Sequence, residues 1–239
     1  MPVYNIADLN ILIEPKHKNT AQRLAPYEST DSNYDFEISL NAYEAEQHYI
    51  QNDLEYSPAS SESTLILTKL CNTVLKHYDG FFFHSSSLML DGEAYVFSAP
   101  SGTGKSTHTA LWRKHFGDRV TMINDDKPII RKKDGRFFIY GTPWMGKANI
   151  GTNTKAPIKA VFILQRGNTN SAVRVKPGEV FKQILEATIV PSDKNMMFSL
   201  LGLLDEFFTL VPLFLLTCNL SDDAVITAYN ASNNITAKD

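Results

Sequence analysis

The stretch Gly102-Thr-Gly-Lys-Ser-Thr107 holds the residues whose types and spacing could do chemistry most directly. Glycine lacks the Cβ that disfavours positive φ, so Gly102 and Gly104 let the backbone turn and aim successive N–H groups at one point. The apolar run Ala94-Tyr-Val-Phe97 reads as a strand entering that turn, and the residues after it as a helix leaving it. A helix N-terminus is the positive end of its dipole, and Lys105 adds a full charge, which together suit a phosphate. Ser106 follows with a hydroxyl of the kind that holds magnesium in such turns. The pattern is a relaxed one, because Ala99 stands where the strict form has glycine. Ser101, Gly102, Thr103, Gly104, Lys105, Ser106 and Thr107 are the expected nucleotide-binding residues.

One helix later, Val120-Thr-Met-Ile-Asn-Asp-Asp126 is an apolar strand ending in adjacent carboxylates. Its carboxyl end is expected beside the glycine turn, where ligands collect in such sheets. A magnesium nucleotide needs a carboxylate to hold the ion, and a kinase needs one to accept the proton of the attacking hydroxyl. Adjacent strand residues point to opposite faces, so Asp125 and Asp126 can share those tasks only if the chain bends, and Pro128 is the expected cause. Gly141-Thr-Pro-Trp144 with Gly146-Lys147 should form a loop at a strand end, where Thr142 and Trp144 either line an acceptor pocket or form a proline turn with a buried Trp. Arg166, ending the apolar strand Ile158–Leu164, is either a second cation or, more commonly in such turns, a solvated side chain.

These residues need a particular scaffold. Asp91-Gly92 and Asp134-Gly135 each sit between apolar runs, a strong hairpin signal. The strand feeding the turn is therefore the second arm of an antiparallel hairpin, and the sheet must be mixed, not purely parallel. Leu67, Leu70, Cys71, Val74, Leu75 and Tyr78 follow helical spacing up to Asp79-Gly80. In the helix from Lys105 to Phe116, Trp112 reads as core, and His108 and His115 as packing or surface residues. A helix over about 180–189, a Ser192-Asp193 cap, a helix near Met196–Thr209 and a strand over Val211–Cys218 complete the scaffold. Residues 1–60 read as a small β-rich segment, with strands at Asn10–Ile13 and Phe36–Leu40, loops at Lys16–Thr20 and Ser29–Tyr34, and a linker at Ser57–Ser63 before the main domain, 61–239.

The bulk properties exclude several classes. A net charge of −3 over 239 residues provides no basic surface for nucleic acid. Two cysteines cannot build a disulfide framework, and the start shows no signal peptide, so a cytoplasmic location is expected. The most apolar stretch, Met196–Leu216, is broken by Asp205, Glu206 and Pro212 and reads as helix then strand, not a membrane span.

His84, then Gly-Thr-Gly-Lys-Ser-Thr, then Asn-Asp-Asp after one helix, resembles the catalytic domain of HPr kinase/phosphorylase, and more distantly ATP-dependent phosphoenolpyruvate carboxykinase. The resemblance is specific from Phe81 to Asp126 and looser to about Ala228. It implies an α/β fold with a mixed-sheet P-loop core behind the N-terminal β-rich segment. It further implies an ATP- and magnesium-dependent kinase acting on a hydroxyl, with Lys105 on the transferring phosphate and Ser106 on the metal. One of Asp125 and Asp126 would hold the metal and the other serve as base. Asp125 is assigned to the metal and Asp126 to the proton, although spacing leaves that order open, and His84 would modulate the base. The Glu-x-Arg-Gly motif of HPr kinases is missing. Tyr140-Gly-Thr-Pro-Trp-Met-Gly-Lys147 instead resembles small stand-alone relatives, some of which phosphorylate free or peptide serine. The expected partners are a nucleotide and a serine-bearing acceptor, with a homo-oligomer allowed and neither nucleic acid nor membrane. A non-catalytic nucleotide sensor is the alternative, and a simple ATPase ranks last because Asn124 is a poor base.

Overall fold

The computed structural model describes residues 2–41 and 57–234. The leading part forms a three-stranded sheet of β1 (Val3–Ile6), β2 (Leu9–Ile13) and β3 (Phe36–Ile38), with a short helix, α1 (Lys18–Leu24), where a loop is expected from the sequence. The next helix, α2, runs from Pro58 to His77. The linker expected at Ser57–Ser63 is thus its first turns. Ser57 accepts a hydrogen bond from Ser60 N at 3.2 Å, and Pro58 occupies the first helical position, where its missing N–H costs nothing. A serine-rich composition suggests a linker, but Ser-Pro is also a helix start.

Beyond α2 the chain lays down β4 (Gly80–Phe82), β5 (Ser86–Leu90), β6 (Glu93–Ser98), helix α3 (Lys105–Phe116), β7 (Val120–Asn124), β8 (Ile129–Lys133) and β9 (Arg136–Tyr140). Both Asp-Gly pairs make the expected two-residue hairpins. Asp91 and Gly92 have φ of 51° and 85°, and Asp134 and Gly135 of 50° and 74°, the left-handed pair that matches strand twist. The long strand β10 (Lys155–Arg166) is followed by β11 (Ser171–Arg174), α4 (Pro177–Glu186), α5 (Lys194–Leu210), β12 (Leu213–Cys218) and α6 (Asp222–Asn233).

The large sheet is mixed. β6 pairs antiparallel with β5 and parallel with β10, while β10 also pairs parallel with β12. β7 is antiparallel to β5, so β6, β7, β10 and β12 all end on one edge. β10 changes partners along its length, pairing with β9 at 155–157 and with β6 from Ile158 onward. Alternation then sorts the side chains into two cores. Val96, Val161 and Ile163 face Val180, Ile184, Leu204 and Phe207 of α4 and α5. Tyr95, Phe97 and Phe162 face Trp112 of α3 and Val225 of α6. Trp112 is core, and its indole N–H donates to His108 Nε2 at 3.0 Å, with burial pushing His108 down to about 4 and so keeping it neutral. Among the described residues no helix is long and apolar enough to cross a membrane.

A third core joins the leading sheet to the rest. Ile6, Ile11 and Leu24 pack with Ile66, Leu70 and Val74 of α2 and with Ile129, Tyr140 and Trp144. Arg131 on β8 donates to the carbonyls of Ala7 and Tyr78.

Candidate functional site

Gly102 and Gly104 adopt φ of 76° and 124°, which side-chain-bearing residues rarely reach. They carry the chain from β6 into α3, whose first helical bond runs from His108 N to Gly104 O at 2.9 Å. Cations engage the carbonyls around the turn. Lys105 Nζ donates to Ala99 O at 2.9 Å, and Arg166 donates to Thr103 O at 3.0 Å and to Gly102 O at 2.5 Å. Arg166, at the end of β10, is exposed and hydrogen-bonded to the turn. Burial pushes the Lys105 ammonium below its ordinary pKa, and the charges of Asp126 and Asp125 oppose that shift. Ser101, Gly102, Ser106 and Thr107 remain exposed, with Thr103 half-buried.

The acid pair lies at the end of β7, on the same sheet edge. Asn124 makes the bend expected of Pro128: its Oδ1 accepts from Asp126 N at 2.9 Å and Lys127 N at 2.7 Å, an Asx turn. The two carboxylates then have different neighbours. Asp125 is buried and its Oδ1 accepts from Ser86 Oγ at 2.6 Å; Ser86 Oγ also lies 2.9 Å from Thr109 Oγ1 on α3. Asp126 Oδ1 stands 3.2 Å from His84 Nε2, and its Oδ2 accepts from Lys127 Nζ at 2.6 Å. Burial pulls the Asp126 carboxyl upward, but His84 and Lys127 outweigh it and hold the group at about 2. His84 is fixed through its backbone, with its N–H donating to Ala187 O at 2.7 Å and its carbonyl accepting from Ser98 Oγ at 3.0 Å.

Of the two readings open for Thr142 and Trp144, their burial matches the turn with a buried Trp. Thr142 is 0% exposed and its hydroxyl donates to Lys127 O at 2.6 Å, while Asn124 Nδ2 donates to Thr142 O at 3.0 Å. Trp144 is 3% exposed and its indole N–H donates to the Ser63 carbonyl and hydroxyl, each at 3.0 Å. A buried threonine and a buried indole each need a fixed hydrogen-bond partner, and here those partners are internal. Thr142 braces the acid turn from behind, and Trp144 N donates to Thr142 Oγ1 at 3.3 Å.

Three hollows surround the glycine turn. A cavity of about 510 Å³ opens between the turn, α3 and the ends of β10 and β12, bordered by Leu111, Leu164, Cys218 and Asn219. A second, about 340 Å³, is bordered by Ser106, Thr107, Asp125, Ala148 and Ile150. A third, about 240 Å³, lies among His84, Ser98, Ser101, Ile163 and Glu186. Among the described residues no three His, Cys, Asp or Glu side chains converge to hold a metal unaided. Magnesium travelling with a triphosphate needs only one or two protein oxygens, however. Ser106 and Asp125 border one hollow, and no described residue donates to Asp125 Oδ2, so this donor set fits that ion.

Sequence reasoning passes over Ser86 and Lys127, gives Asn124 no structural part, and leaves Arg166 undecided. One signal was available for Ser86: Ser85, Ser86 and Ser87 are consecutive polar residues in an apolar hairpin arm, and all three are fully buried. Buried hydroxyls require partners, so such a run points to a polar centre beside it.

No protein-family model matches this sequence, and no curated protein matches it. Among solved structures, the HPr(Ser) kinase/phosphatase from Coxiella burnetii is similar over 64% of this chain and 94% of its own, with a TM-score of 0.37 and 10% sequence identity.

Proposed function

We propose that the chain is a phosphotransferase that moves the γ-phosphate of ATP onto a hydroxyl, with a serine-type alcohol as acceptor. The observation that carries this reading is the convergence of Lys105 at a helix N-terminus with an acid pair whose members have different partners. The triphosphate lies along the amides of the glycine turn, gripped by Lys105, and the nucleoside takes the 510 Å³ cavity alongside. Ser106 and Asp125 would hold magnesium, which would supply charge to offset that of the phosphate oxygens. The acceptor enters by the hollow at His84. Its oxygen bonds to the γ-phosphorus as the bond to the bridging oxygen breaks, ADP leaves with that electron pair, and the hydroxyl proton passes to Asp126. A carboxylate held at about 2 is a weak base, which suits a loose transition state in which positioning and charge supply most of the acceleration. His84 fixes Asp126 in place for that proton.

The test gives purified protein magnesium ATP and a panel of free serine, serine peptides and cell lysate, read by phosphorus NMR and mass spectrometry. A phosphoserine product is expected. Measurable ATP binding with no phosphorylated product across the panel would leave only a nucleotide-binding role.

A further inference from the structure

The segment from Gly141 to Thr152 is anchored at both ends and free at its tip. Gly141 N donates to Thr154 O at 2.9 Å, Thr152 N donates to Ile123 O at 3.1 Å, and Gly151 bridges Asn124 at the end of β7. Trp144 is buried against Ser63. Between these anchors a turn closes from Asn149 N to Gly146 O at 2.8 Å, with Asn149 at φ 50°. Gly146 presses on the acid pair: a Cβ there would lie 3.3 Å from Asp125 O, 3.5 Å from Asp125 Oδ2 and 3.7 Å from Asp126 Cβ. Ala148 and Ile150 border the hollow shared with Ser106 and Asp125.

Lys147 sits between Gly146 and Ala148, is exposed, and makes no hydrogen bond or ion pair with any described residue. The other cations near the acids are already engaged: Lys105 with Ala99, Lys127 with Asp126, and Arg166 with the turn. Arg113 also borders the hollow, but it is two turns beyond Ser106, about 10 Å along the helix. Lys147 thus carries an unpaired ammonium on a four-carbon stem next to Gly146, whose backbone lies against the acid pair, and such an ammonium takes an anion as its counterpart.

We propose that Lys147 is a catalytic cation, neutralising the phosphoryl group during transfer. The inference rests on the phosphotransfer reading above. Glycine at position 146 lets the turn lie close to the acid pair, since a Cβ there would already crowd Asp125 O at 3.3 Å. Charge placed where the transition state develops it raises turnover more than ground-state binding.

The test compares wild type, Lys147→Ala and Lys147→Arg for affinity toward fluorescent mant-ADP with magnesium, alone and with aluminium fluoride, which mimics the phosphoryl group in flight. Wild type should bind the fluoride complex at least about tenfold more tightly than ADP alone. Lys147→Ala should keep its ADP affinity and lose that gain, with turnover on any acceptor found falling by about 100-fold, and Lys147→Arg should recover most of both. Thermal melts check that the exposed substitution leaves the fold intact. A gain retained in Lys147→Ala overturns the role of Lys147 alone. No gain in wild type overturns the phosphotransfer reading and this inference together.

Discussion

Ser86 Oγ donates to Asp125 Oδ1 at 2.6 Å across two antiparallel strands, while the same oxygen lies 2.9 Å from Thr109 on α3. One hydroxyl thus ties the acid pair to the helix that starts at the glycine turn. Ser86→Ala removes the donor from a buried carboxylate. It should lower unfolding free energy by about 1–3 kcal/mol in chemical denaturation. It should also weaken the magnesium dependence of nucleotide binding, measured by titrating the metal against mant-ATP.

Asp126 offers a pH signature. Its folded pKa, about 2, lies below the ordinary carboxylate value, so its stabilising contribution is present above about 4 and is lost as pH falls toward 2. Asp126→Asn should therefore be less stable than wild type at pH 6, by about 2 kcal/mol. The gap should close between pH 4 and pH 2 in urea titrations at stepped pH. A gap of unchanged size at pH 2 would mean that His84 and Lys127 do not stabilise the charged form. On the phosphotransfer reading, the same variant keeps ATP binding and loses turnover.

Lys105 and Arg166 act on the same turn in different ways. Lys105→Ala removes the cation at the helix N-terminus, and ATP affinity should fall more than tenfold by mant-ATP titration. Arg166→Ala frees the carbonyls of Gly102 and Thr103 but leaves that cation in place. Its loss of affinity should be several-fold smaller, accompanied by faster amide exchange across residues 101–104. Equal losses in the two variants would contradict this division.

Trp144→Phe separates a structural tryptophan from a ligand-binding one. It deletes the indole bonds to Ser63 and should destabilise the fold by about 1–2 kcal/mol. Nucleotide affinity should stay within twofold of wild type. A tenfold change would return Trp144 to the pocket.

What the sequence reveals is what short range determines. Asp91-Gly92 and Asp134-Gly135 favour left-handed φ between apolar runs, and Gly102 and Gly104 permit it at the turn, so the hairpins and the strand–turn–helix are readable from local residues. The mixed sheet follows from the first hairpin alone. The partners of Asp125 do not follow from any local pattern, because they depend on register: Ser87 faces Asn124 across β5 and β7, which brings Ser86 to Asp125. Thr142 and Trp144 have the composition of a pocket wall, yet Trp144 packs in the third core and Thr142 bonds inward to Lys127, contacts that only the tertiary fold sets. Ser57–Ser63 misleads for the opposite reason, since linker composition and a helix cap use the same residues.

Trp144 hangs the turn bearing Gly146 and Lys147 from Ser63, on the helix that also backs the first strands. The order of residues near 146 is therefore inherited from packing about 80 positions upstream, at Ser63. A chain shortened to begin at Ser57 would leave Ile66, Leu70 and Val74 facing water, and the support beneath Asp125 would loosen with them. The leading sheet and the acid pair are thus joined through one shared core.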